Sequence, residues 1–274
     1  MILITGINGF IAKYIHNNLK QSNIEVIGTT KEDSKNITNI LIEKKPEYIY
    51  HTGAELYDND QMFNSNILLT YQILEYCRTA NNLKRLIIIG SSSEYGRKQQ
   101  PINETDVLEP QTIYEGTKSA ASLLAQSYSY TYNIPIFIIR PFTIYGIGEK
   151  SNKFIQVLFK KMRNNEKEIS VSNCVHDYVY IDDFINALFE IIYKNKNTFD
   201  IVNIGSGIQT TNINVVKIFE KINNYYFDKY IEIQSKPYDS NIWLADNIKL
   251  QKYYKIKYSL EDGINLMKNK SKII

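Results

Sequence analysis

Cysteine is scarce. Cys77 and Cys174 are the only two in 274 residues, too few and too far apart for a disulfide scaffold or a cysteine-based metal site, and no metal is expected. Cys77 falls in the helical spacing Tyr71, Leu74, Cys77, which marks a small buried hydrophobe rather than a nucleophile. Neither sign of charge dominates. Lys and Arg number 32 against 29 Asp and Glu, interleaved along the chain, so no basic stripe calls for nucleic acid. The basic tail Lys268–Lys272 reads as a solvated end. No apolar run approaches the length of a membrane span. The chain opens directly on an apolar strand, which leaves no room for a signal peptide, and the reducing cytoplasm is the expected setting. Tyrosine is in excess, 22 residues spread throughout, and reads as compositional bias rather than as so many functional groups.

What the chain has in quantity is alternation. A hydrophobic share of 43% with 22% charged residues supplies one large core. In the first half, short apolar runs alternate with amphipathic stretches, the pattern of βαβ units and a parallel sheet. The pattern predicts strands over 2–5, 25–29, 47–51, 85–90 and 134–140, and helices over 11–21, 61–80 and 114–132. Beyond Pro141 it predicts helices over 154–163, 182–193, from Thr210 or Thr211 to Ile222, 247–253 and 260–267, with strands at 175–180 and 199–204. The expected fold is α/β, a Rossmann-type doubly wound parallel sheet over residues 1–145. Segments from about 174–205 return to that sheet, and a smaller interleaved C-terminal substrate-binding domain is made mainly of 146–274.

The stretch Thr5-Gly6-Ile7-Asn8-Gly9-Phe10-Ile11-Ala12 lies between the first strand and the first helix. Gly6 permits a tight turn, Gly9 lets the backbone approach a pyrophosphate, and the small Ala12 lets the helix pack close to the sheet. Asn8, Phe10 and Ile11 lead into a helix whose free amides and partial positive charge favour phosphate. A dinucleotide-binding second strand should end in a carboxylate that takes the ribose diol. Here it ends Thr29-Thr30-Lys31, and hydroxyls beside a cation suit a 2′-phosphate. NADP(H) is therefore favoured, with NAD(H) held by Glu32 or Asp33 as the alternative.

Tyr114 and Lys118 stand four apart at the start of a predicted helix, which puts phenol and ammonium on one face. A nearby cation favours phenolate and makes the tyrosine a usable acid–base for carbonyl/alcohol interconversion. The strand ending at Ile89 is followed by Gly90-Ser91-Ser92-Ser93-Glu94-Tyr95-Gly96, hydroxyls at the C-terminal edge of the predicted sheet, where such folds bind ligands.

These motifs, with Arg140-Pro-Phe-Thr-Ile-Tyr-Gly146, His176-Asp-Tyr-Val-Tyr-Ile-Asp-Asp183, Asn203-Ile-Gly-Ser-Gly207 and Ala245-Asp246, occur in this order in a known group. Over nearly its whole length the chain resembles the extended short-chain dehydrogenase/reductase family of nucleotide-sugar epimerases, dehydratases and reductases. The resemblance implies that Tyr114 is the acid–base and that Lys118 holds the nicotinamide ribose and tunes it. Counting back four from Tyr95, Ser91 is the catalytic serine, with Ser92 the adjacent alternative. Thr52, Gly53 and Ala54 would line the cofactor, together with Asn66, Gly90 and Pro141. Glu94, Thr143, Lys153 and His176 would meet the substrate, a nucleotide-diphosphate sugar. Similar proteins pair the helices near 61–80 and 114–132 into a four-helix bundle, so a homodimer is expected.

Departures from the family pattern narrow the activity. Ser92 and Ser93 fill the places where dehydratases carry proton-moving carboxylates, and Glu94 is displaced by one. Thr143 replaces a common asparagine and His176 a common arginine, and the stretch from Gly148 to His176 is short. The leading expectation is NADPH-dependent reduction of a nucleotide-linked 4-keto-6-deoxy sugar, for surface polysaccharide biosynthesis. A nucleotide-sugar 4-epimerase that keeps NAD bound is the alternative, and a catalytically silent cofactor-sensing protein is a third.

Overall fold

Every position of the first strand, β1 (Ile2–Thr5), is buried, as a central strand of a sheet covered on both faces requires. The computed structural model describes residues 1–21, 24–234 and 240–271. After β1 come α1 (Phe10–Gln21), β2 (Val26–Thr29), α2 (Ile37–Lys44) and β3 (Tyr48–His51). A long helical run follows, α3 (Asn59–Met62), a π-helical stretch over Phe63–Leu68, and α4 (Leu69–Thr79). Next are β4 (Arg85–Ile89), a 3-10 turn at Ser92–Tyr95, α5 (Ile113–Tyr132), β5 (Ile136–Pro141), β6 (Thr143–Tyr145) and α6 (Phe154–Arg163). The rest is β7 (Glu168–Ser172), β8 (Val175–Tyr180), α7 (Ile181–Lys194), β9 (Phe199–Ile204), β10 (Gln209–Thr211), α8 (Asn212–Asn223), β11 (Lys229–Ile233), α9 (Ile248–Gln251) and α10 (Leu260–Ser271).

The chain divides into two compact units. The first takes residues 1–96, 104–141 and 191–203, and the second takes 97–103, 142–190 and the described residues from 204 onward. The first unit holds a sheet of order β2-β1-β3-β4-β5-β9, with β2 through β5 paired in parallel. The order reverses at β1, with β2 on one side and β3 on the other. That reversal opens a crevice at the carboxyl ends of β1 and β3, where doubly wound sheets bind ligands. Leu3, Ile49, Leu86, Ile88 and Ile138 from the strands pack with Ile37, Leu41, Ile73 and Leu74 from the helices, nearly all with no exposure. Each such side chain contributes about 1.5–3 kcal/mol on burial.

The second unit carries a three-stranded sheet of order β10-β8-β6 and a two-stranded sheet pairing β11 with β7. Here the expected boundaries need correction. Of the segment 174–205, only 191–203 belongs to the first unit, because β8 pairs with β6 and β10. Residues 97–103 belong to the second unit, where Ile102 bridges to Ala245. Among the described residues no helix is long and apolar enough to cross a membrane.

Candidate active site

The turn after β1 has no room for a side chain at its first position. Gly6 has φ +66°, and a Cβ there would stand 2.8 Å from the Gly53 Cα. Glycine thus serves both the turn and the close approach of the 52–54 loop. The Gly9 amide closes the turn on the Gly6 carbonyl at 2.8 Å, and α1 starts at Phe10 with its free amides at that end. Asn8 is exposed in the turn, Phe10 meets Tyr14 edge-on at 5.6 Å, and Ile11 is half-buried.

The 52–54 loop is tied to β1. Thr52 Oγ1 donates to the Thr5 carbonyl at 2.6 Å, and the Gly53 amide donates to Thr5 Oγ1 at 3.2 Å. Behind it His51 bridges Thr5 Oγ1 (2.8 Å) and Thr70 Oγ1 (2.9 Å). Burial keeps this imidazole neutral, its pKa pushed down to about 3. Asn66, buried in the π-helical stretch, accepts from the Glu55 amide at 2.8 Å and donates to the Glu55 carbonyl at 3.0 Å and Thr117 Oγ1 at 2.9 Å. A pocket opens between Gly6, Thr29, Thr30, Lys31, Gly53 and Glu55. A concavity walled by glycine backbone at a helix N-terminus fits the diphosphate and adenosine ribose of a dinucleotide.

The ribose end of that pocket differs from expectation. Lys31 Nζ lies 3.2 Å from Glu55 Oε2, while Glu55 Oε1 accepts from the amides of Leu56 (3.0 Å) and Tyr57 (3.1 Å). These bonds outweigh partial burial and hold the Glu55 carboxyl down to about 2. Thr30 donates through both its amide (2.8 Å) and its hydroxyl (2.9 Å) to Asp33 Oδ2. Of the groups read as a 2′-phosphate site, Thr30 and Lys31 are engaged by carboxylates, and the Glu55 anion lines the pocket with Thr29. The expected NADP preference loses its support on that ground. Glu55 stands 24 residues from Lys31, and no local pattern in the sequence pointed to their meeting.

The catalytic candidates come together in the same unit. Thr112 caps α5 by accepting from the Glu115 amide at 3.2 Å, and Glu115 returns the bond to the Thr112 amide at 3.1 Å. That cap starts the helix so that its first turns carry Tyr114 and Lys118. Lys118, buried, donates to the Ile89 carbonyl at 2.6 Å. Ser91 Oγ hydrogen-bonds Ser93 Oγ at 2.7 Å and accepts from the Ser93 amide at 3.2 Å, while Ser92 is buried. Of the two serines proposed for catalysis, Ser91 is the one whose hydroxyl lowers the Tyr114 pKa. Burial pushes Tyr114 up to about 12, the Ser91 hydroxyl offsetting this only in part. Burial also lowers Lys118, against the pull of Glu94.

Glu94 does not have the place expected of a substrate ligand. It is fully buried, with Oε1 accepting from the Ser91 amide at 2.8 Å and Oε2 from Arg140 Nε at 2.8 Å. Gly90 lies against it, and Pro141 ends β5, half-buried. In the second unit, Thr143 and His176 come together on paired strands, Thr143 Oγ1 to His176 Nδ1 at 3.4 Å. Lys153 precedes α6 as its N-cap residue, and near it burial raises Glu149, missed in the sequence, to about 8.

Fold and turn together define a doubly wound, dinucleotide-binding type of scaffold, with Tyr114 and Lys118 in the opening turns of α5. The chain belongs to the NAD dependent epimerase/dehydratase family, whose sequence model matches residues 2–205. It is 28% identical to a dTDP-D-glucose 4,6-dehydratase of Dictyostelium discoideum over 73% of this chain, and spans half of that protein's length. It is 29% identical to a UDP-glucuronate 4-epimerase of Thermodesulfobacterium geofontis over 76% of this chain and 65% of that protein. Its fold matches a UDP-glucuronic acid 4-epimerase from Bacillus cereus, solved in complex with UDP-glucuronic acid and NAD. That match has a TM-score of 0.89 and 25% identity over 99% of each chain.

Proposed function

We propose that the chain is a nucleotide-sugar 4-epimerase that keeps NAD bound through turnover. The observation that carries this reading is the ribose end of the pocket, where Lys31 is paired with Glu55 and Thr30 with Asp33. A carboxylate-lined pocket suits a ribose diol and repels a 2′-phosphate, which removes the main support for an NADPH-dependent reductase. Hydroxyls at Ser92 and Ser93, with Glu94 sealed beneath the loop, leave no carboxylate next to Ser91 to move a proton during loss of water. That disfavours dehydration. The similarity to 4-epimerases that act on UDP-glucuronic acid supports the same reading.

Gly6, Gly9 and the α1 N-terminus would hold the diphosphate, and Lys118 the nicotinamide ribose. Bound there, NAD supplies a hydride acceptor that can return the hydride to either face of the sugar carbon. Tyr114 would take the proton from the C4 hydroxyl in one direction and give it back in the other, while Ser91 hydrogen-bonds that oxygen. The buried Lys118 ammonium is the group that would favour the phenolate. Thr143, Lys153 and His176 are assigned to the nucleotide sugar. We also assign a homodimer contact to the helical run 59–79 and α5, which expose Phe63, Leu68, Tyr71 and Leu123.

The test is to denature the purified protein, identify the nucleotide released, and follow UDP-glucuronic acid and UDP-glucose for conversion at C4. Released NAD, with C4 epimers forming and no net cofactor change, is the expected result. Stoichiometric NADPH consumption on a 4-keto sugar would replace the epimerase with the reductase.

A further inference from the structure

Glu94 has no exposure and lies in the 3-10 turn that follows the Ser91 position. Its carboxylate is held from two directions, by the Ser91 amide and by Arg140 Nε, both at 2.8 Å. Arg140, itself 2% exposed, donates from Nη1 to the Tyr95 hydroxyl at 2.8 Å, and that hydroxyl donates to Asn203 Oδ1 at 2.8 Å. The guanidinium also lies over the Tyr95 ring, 4.6 Å from its centre. A Cβ at residue 90 would stand 2.6 Å from Glu94 Oε1, so Gly90 is the residue that makes room for the carboxylate.

A buried ion pair adds little net stability, because desolvating two charges offsets their attraction. A neutral side chain could cap the turn just as well. The pair therefore calls for an account beyond stability, and its position gives one. The amide that Glu94 grips belongs to Ser91, the residue assigned above, with Tyr114, to the reacting oxygen. We infer that Glu94, clamped by Arg140, is a positioning residue that fixes the Ser91 backbone, and with it the Ser91 hydroxyl, and places a fixed negative charge beneath the acid–base pair. The inference rests on the assignment of Ser91 and Tyr114 as the reacting groups. In keeping with it, Glu94 is among the charges that raise Tyr114, and it sustains the Lys118 ammonium against burial.

Glu94→Gln keeps the turn's acceptor and removes the charge, but strands a buried guanidinium and so destabilises the fold. The informative variant is therefore Glu94→Gln with Arg140→Gln, which removes both charges. Two readouts apply to the purified protein. One is kcat, KM and the pH profile on UDP-glucuronic acid and UDP-glucose. The other is the phenolate absorbance of Tyr114, obtained by subtracting a Tyr114→Phe version over the pH range in which both stay folded. The expected result is a folded double variant with NADH affinity within about twofold of wild type. Its kcat is expected to fall about tenfold or more with KM little changed, and its Tyr114 ionisation to move about one pH unit lower. A double variant with wild-type kcat and unmoved Tyr114 ionisation would overturn the inference and leave the pair a structural one. Wild-type protein inactive on every UDP sugar sinks the epimerase reading instead, and the Tyr114 titration then decides this inference alone.

Discussion

In the second unit, burial raises the Glu149 carboxyl to about 8, and Lys153 offsets this only in part. A folded-state pKa above the unfolded value means that the fold binds a proton the unfolded chain gives up. The stability linked to Glu149 is then complete below its ordinary value of 4.5 and is lost as pH rises through about 8. The melting temperature of the wild type should therefore fall relative to Glu149→Gln between about pH 5 and about pH 9. Parallel curves would show that this carboxyl titrates as it does in water. Single residues were unevenly legible in the sequence. Gly6 and Gly9 declared their turn, and Tyr114 and Lys118 their shared face, because both signals are local. Ser91-Ser-Ser-Glu94 is also a local signal, the capping-box spacing in which the acid folds back on its own turn. Reading Glu94 as a substrate ligand overlooked it. The Lys31–Glu55 pair had no such signal, since only the packed loops bring the two together.

Helix α5 begins on a reciprocal cap, and the site depends on where that helix begins. Thr112→Ala should cost about 1 kcal/mol of stability, measured by urea unfolding. Its effect on kcat should exceed its effect on cofactor affinity, because Tyr114 lies in the first turn. Equal losses in both would place the role of Thr112 in folding alone. Elements with strong periodicity were readable in advance, among them β1, α1, β4 and α5. Helix α2 escaped notice because it runs only 8 residues and buries only Ile37 and Leu41 fully. Strands β6, β7, β10 and β11 were missed because they run 3 to 5 residues and owe their form to pairing with distant segments. The π-helical stretch was likewise hidden. There the Leu69 amide bonds back five residues to the Asn64 carbonyl, adjusting the helix where Asn66 turns inward.

On the scale of the molecule, the exposed apolar side chains of the 59–79 run and α5 lead to a size prediction. Sedimentation should give twice the chain mass, and Leu123→Arg should shift it toward one copy while bound NAD is unchanged. A monomeric wild type would remove the four-helix contact from the proposal. The doubly wound sheet and the interleaving of the chain were foreseeable, but the boundaries of the two units were not. A later segment's return to the sheet was expected over about 174–205, but sequence pattern does not reveal that it narrows to 191–203 or that 97–103 leaves the first unit. That threading bears on how such a protein can change over evolution. A gene cut once, at any codon, yields no intact half: a fragment ending near residue 145 lacks β9, and the remainder lacks the Ile102 bridge to Ala245. Neither unit can be borrowed, duplicated or discarded by a single recombination, so the nucleotide grip and its companion must be inherited, and must diverge, as one piece.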